Sequence, residues 1–168
     1  MAFGTTGAGT ITKEQTLLSI RRISINNATT LTKGQVVTPN GDGDLIIGST
    51  TPLTGPHYVA LETVDNSGGA DGDLFCPVAV PGHYVTVIAD GVIEPGEHVQ
   101  QATSTAGQVI VWAGTTEGEI VGTYFGKEGG AINKSASTPY AETFTDSADF
   151  NPVPCADGDV IEILLGKA

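Results

Sequence analysis

Along this chain a glycine, then a polar or bulky residue, then a run of β-forming side chains recurs eight times. The units read "KGQVV", "DGDLI", "DGDLF", "PGHYV", "PGEHV", "AGQVI", "EGEIV" and "DGDVI". Their glycines are Gly34, Gly43, Gly72, Gly82, Gly96, Gly107, Gly118 and Gly158. Glycine supplies positive φ in a tight turn, and Asp or Pro before it favours the turn. The residues after each turn alternate or run apolar, as strands do. Such units, mostly about ten residues apart, predict an all-β fold: a small β-barrel or β-sandwich.

Single strands can be read within this pattern. "HYVTVIADGVI" sets Val85 and Val87 on one face against Tyr84, Thr86 and Ile88, then turns at Asp90–Gly91. "QVIVWAG" is apolar on both faces and is expected to lie deep, with Trp112 in or beside the core. "DVIEILLG" points Ile161, Ile163 and Leu165 one way, while Glu162 interrupts the other face. Residues 12–25 carry two signals. Thr12 with Gln15 resembles a capping box, yet Ile23 and Ile25 alternate like a strand. A short helical turn or extended lead-in, then a strand, is expected there, and no helix longer than about three turns anywhere.

Two segments stand apart from the turn–strand units. Residues 1–11, Gly- and Thr-rich with isolated Phe3 and Ile11, read as an extended N-terminal arm, mobile when free and ordered on a partner. Residues 127–156 lack a stable period and contain Pro139, Pro152 and Pro154. They form one long irregular insertion, and loops of that length are usually functional. The expected organisation is an arm over 1–11 and a single β domain over 12–168.

Composition narrows the function. Charged residues are 15% of the 168, below the usual ~25%, and 23 glycines with many threonines suit strands and turns. The net charge of −12 argues against direct binding to nucleic acid or an anionic membrane. The charge is uneven. Residues 1–39 hold Lys13, Arg21, Arg22 and Lys33 against Glu14, a sum of +3, and the remainder sums to −15. A basic leading segment on an acidic body suits head-to-tail contact between copies. Arg21 and Arg22, with Phe3 and Ile11, are therefore the candidate partner contacts. "MAFGTTGAGT" has neither the basic start nor the apolar stretch of a signal peptide, so a soluble protein made in the cytoplasm is expected. Cys76 and Cys155 lack metal-ligand spacing and read as packed thiols, with a bridge between them left open.

Candidate chemistry is sparse. The three Asp-Gly-Asp stretches raise the question of calcium, which an EF-hand loop answers with a glycine at position 6 and a glutamate at 12. In "NGDGDLIIGSTT", Asn40, Asp42 and Asp44 fit, but Leu45 and Thr51 fill those two positions. The stretches read as turn punctuation, and no metal or cofactor is expected. His57, His83 and His98 are scattered and read as sheet histidines. Glu94 and Glu97 flank Pro95–Gly96 as a solvated turn rather than a carboxylate pair. Nucleophile-elbow, phosphate-loop and dinucleotide motifs are missing, so no catalytic residue is assigned and an enzyme is not expected.

The order "LTKGQVVTP", "GPHYVALETVDNSGGADGDLFCPVAVPGHYVTVIADGVIEPGEHVQ", "EGEIVGTYFGKEGG" and "ADGDVIEILLGK" resembles the capsid decoration, or cement, proteins of tailed viruses. The likeness covers residues 31–128 and 156–167. It implies a β-barrel or sandwich that binds the outer capsid surface, often as a homotrimer, with the major capsid protein as partner. The implied location is the capsid exterior of the virion, and the implied role is shell stabilisation without catalysis. The alternative is a carbohydrate- or receptor-binding sandwich, against which aromatics at 6% and a single Trp speak.

Overall fold

Thirteen strands and a single 3-10 turn make up the regular structure of the described residues. The computed structural model describes residues 8, 11–13, 20–48, 51–127 and 154–166. In chain order the strands are β1 (Ile11–Lys13), β2 (Arg21–Ser24), β3 (Thr29–Leu31), β4 (Val36–Pro39), β5 (Leu45–Ile46), β6 (Tyr58–Ala60) and β7 (Val64–Asn66). They continue as β8 (Phe75–Ala79), β9 (Tyr84–Ile88), β10 (His98–Gln101), β11 (Val109–Val111), β12 (Ile120–Lys127) and β13 (Val160–Leu165).

The recurrent glycines do what their setting requires. Seven of the eight have φ between 76° and 98°, and each is followed within three residues by a strand. Gly118 differs: it lies in the 3-10 turn Glu117–Glu119 without positive φ, although β12 still follows at once. The polar residue after the glycine has a role as well. Gln35, Asp73, His83, Glu97 and Asp159 each return their backbone N–H to the carbonyl three residues back, at 3.1–3.3 Å. Their side chains in turn accept the N–H of that same residue, at 2.6–3.2 Å. This is the pattern of a type II turn with glycine third, latched by the fourth side chain. In the Asn40 loop the latch is reversed. Asn40 Oδ1 accepts the N–H of Asp42 and of Asp44, both at 2.9 Å. The Asp-Gly-Asp stretches are closed turns.

The strands form two curled sheets and a ribbon. The larger runs β1-β9-β13-β12-β10-β11, and it bends until Val109 on its far edge bridges Ala89 just past β9. The smaller runs β2-β8-β6-β4-β5 and closes likewise through Ile25 against Leu45. β3 pairs only with β7. Val85, Val87, Ile161, Ile163, Leu165 and Tyr124 fill the larger curl, while Ile25, Leu31, Leu45 and Cys76 fill the smaller. The middle of the smaller sheet serves both cores. Val36, Val59 and Ala79 face the larger, and their chain neighbours Val37, Ala60 and Val78 face the smaller. Hence these strands read as unbroken apolar runs rather than alternations.

Polar side chains stitch the two curls together. Gln101, fully buried on β10, donates to the Val36 carbonyl at 3.2 Å and accepts the Leu53 N–H at 3.2 Å. His57 sits between the Thr38 hydroxyl, 2.9 Å from Nδ1, and the Gly118 carbonyl, 3.2 Å from Nε2. Gly107 must be small here, since a Cβ would stand 2.6 Å from Gln35 Cγ.

Several expectations are refined. The all-β barrel architecture is as expected, as is the one-sided burial of β13. "QVIVWAG" is not deep: β11 is an edge strand whose Ile110 and Val111 are half-buried, as is Trp112. Its apolar character serves barrel closure at Val109 rather than two-sided burial. The sheet begins at Ile11, opposite Val85, so that last residue of the expected arm is part of a strand. The rest of the arm apart from residue 8, the Gln15 half of the capping box, and 128–153 of the long insertion lie outside the described residues. Both cysteines are free and sit in different cores, so the bridge left open is not formed.

Candidate functional site

β2 carries the chain's only two arginines, Arg21 and Arg22. It is the first strand of the smaller sheet and pairs with β8 in the register Arg21↔Val78, Arg22↔Pro77, Ile23↔Cys76, Ser24↔Phe75. Neighbouring residues of a strand project to opposite faces. Ile23 packs against the smaller core, so Arg21 shares that face at its rim and Arg22 points to the other. Both are exposed, and neither forms an ion pair among the described residues.

Exposed apolar side chains lie along the same β2–β8 pair. Of five large hydrophobic residues exposed among the described ones, Ile20 precedes β2 and Leu74 and Phe75 lie at the start of β8. Phe75, 53% exposed, stands opposite Ser24 on the face that Arg22 shares. Short charged edges also keep sheets from pairing promiscuously. Exposed phenyl and aliphatic groups do not serve that end, and they give the edge the mixed character of a contact surface.

A second surface has the opposite sign. The turns at 89–97 and 156–159 pack together through Ile93 against Cys155 and through Ala89 N–H to the Asp159 carbonyl, at 2.9 Å. Together they carry Asp90, Glu94, Glu97, Asp157 and Asp159 as well as Val92, which at 63% is the most exposed large hydrophobic residue described. No Lys or Arg occurs anywhere between Lys33 and Lys127. Beneath this end Tyr124 is buried, and burial first, then the nearby Cys155, Asp159 and Glu94, pushes its hydroxyl well above the ordinary phenol range.

Elsewhere the titratable groups are dispersed. The three histidines belong to different parts of the fold. His98 Nδ1 meets the Thr123 hydroxyl at 3.0 Å and its ring meets Trp112 edge-on. His83 Nδ1 accepts the Val80 N–H. Burial lowers the His57 pKa from 6.5, partly offset by its bond to the Gly118 carbonyl. Burial pushes the Cys76 thiol up. Glu97 is committed to its turn latch. Among the described residues no three His, Cys, Asp or Glu side chains are grouped to hold a metal ion.

Of the four candidate contacts, the structure unites Arg21 and Arg22. Ile11 belongs to the other sheet, and Phe3 lies outside the described residues. The acidic surface around Val92 escaped the sequence reading, although the 93-residue span without a single cation was its signal. Comparison of the chain with family models, curated proteins and solved structures finds no match.

Proposed function

We propose that this chain is a structural virion protein that seats on the outer surface of a tailed-virus capsid and stabilises the shell. It acts without catalysis, as a homo-oligomer, with a trimer the expected form, and its partner is the major capsid protein. The observation that carries the reading is the β2 edge: two arginines without an ion pair among the described residues, on a strand pair that also exposes Ile20, Leu74 and Phe75, on an otherwise acidic body. Such a surface favours protein contact. The order of turn–strand units, which resembles capsid decoration proteins, supplies the kind of partner. Copies that engage a shell at several points gain avidity without strong single contacts.

The sugar-binding alternative draws less support. Tyr84 and Phe125 meet edge-to-face at 5.1 Å, and Trp112 is half-buried with its N–H donated to the Thr116 carbonyl. These three described residues make no flat aromatic platform.

The test is co-sedimentation of the purified chain with particles that lack it, followed by thermal disruption of the shell. Saturable binding with a rise in disruption temperature is the expected result. Failure to bind at any concentration contradicts the reading.

A further inference from the structure

We infer that copies of this chain join head to tail, the β2 edge of one against the acidic turns around Val92 of the next. The inference rests on the oligomer part of the proposed function and is independent of the capsid part.

The two surfaces are complementary in both respects that matter. One carries Arg21 and Arg22 with Phe75 and Ile20, and the other carries Glu94 and Asp157 with Val92. Glu97 and Asp159 hold turn latches with one oxygen each, and Asp90 accepts from Ser104, so these three keep their positions when the surface is engaged. Among the described residues Glu94 and Asp157 hold no such latch, and these two carboxylates are the ones we assign to the guanidiniums. Arginine suits the task because its planar fork binds carboxylates bidentately and is weakly hydrated. An apolar centre with charges at its rim is the usual anatomy of a protein interface.

Self-pairing of like surfaces is disfavoured. β2 against β2 would bring four guanidiniums together, and the acidic turns against themselves would bring several carboxylates together. A two-fold dimer through either surface is therefore penalised. The basic-to-acidic contact is heterologous, and a heterologous contact closes into a ring when its rotation permits. A body of net charge −12 repels its own copies at long range, so the two arginines of β2 also fix their orientation.

Charge exchange gives the test, read by sedimentation velocity and by concentration-dependent dissociation. Arg21→Glu with Arg22→Glu is one variant, and Glu94→Lys with Asp157→Lys is another. Each alone is expected to weaken association about tenfold or more. The chain with all four substitutions has the same net charge as the parent, and it is expected to associate again, because its reversed edge now meets a reversed turn. Far-UV circular dichroism and melting confirm that each variant is folded. A folded four-substitution chain that stays dissociated overturns the inference. So does a parent chain that is monomeric at all concentrations, or association unchanged by either pair. A chain that assembles this way but ignores particles defeats the capsid reading and leaves this contact standing.

Discussion

β13 and β2 are both antiparallel strands, and their situations differ at every level. β13 follows a latched Asp-Gly-Asp turn, lies between β9 and β12, and buries Ile161, Ile163 and Leu165. No Asp-Gly-Asp sequence precedes β2, which among the described residues pairs with β8 alone along Arg21–Ser24 and exposes Arg21 and Arg22. In β13 local signal, pairing and burial agree, which is what makes a strand rigid and its position readable. In β2 the local signals conflict, and the residues that break the rule are those with no ion-pair partner among the described residues. That contrast separates the scaffold from the surface available to a second molecule.

The sharpest way to break the contrast is Ile163→Ala. It removes a fully buried side chain from the centre of the larger core and is expected to cost about 2–5 kcal/mol in denaturant unfolding. A loss no larger than that of a surface substitution would show that β13 is not the frame. Next in size is Asp159→Ala, which deletes the turn latch to Ala156 N–H and is expected to cost about 0.5–1.5 kcal/mol. An unchanged chemical denaturation midpoint would deny the latch its role.

The seam between the curls is sensed by pH. Burial holds the His57 pKa below 6.5, so under acid the unfolded chain takes up a proton that the folded chain resists. The stabilisation is complete above about pH 6.5 and declines as the pH falls towards the lowered folded value. Melting temperature should drop between about pH 7.5 and 5.5, and His57→Gln should flatten that slope. An equal slope in the variant would refute this assignment. The smallest effect belongs to β2. Arg21→Ser with Arg22→Ser is expected to leave unfolding within about 0.5 kcal/mol of the parent, since exposed side chains without partners carry little stability. A loss of several times that size would mean that β2 belongs to the frame.

Much of this contrast was legible from residue order. The eight glycines marked eight strand starts, and Val85, Val87, Ile161 and Ile163 lay on the expected face. The failures have physical reasons. "QVIVWAG" reads as buried because apolar runs signal burial, yet only Val109 is enclosed, where the sheet curls back onto Ala89. Gly118 fits the turn pattern but is drawn into a 3-10 turn whose carbonyl serves Gly55 and His57. Pairing of β2 with β8 joins residues more than fifty positions apart, and no local rule reports it. Of the candidate site, Arg21 and Arg22 were visible from charge asymmetry. Phe75, Leu74 and Val92 were not, because a strand pattern does not say which apolar residue lies at an open edge.

The central claim is that this fold is an exterior structural component of a virus particle. A cryo-EM map of purified particles that carry the chain tests it most directly. The expected map has the double-curled β body outside the shell at repeated positions, with β2 facing a neighbouring protein. Density for the chain inside the shell, or particles devoid of it, would contradict the account.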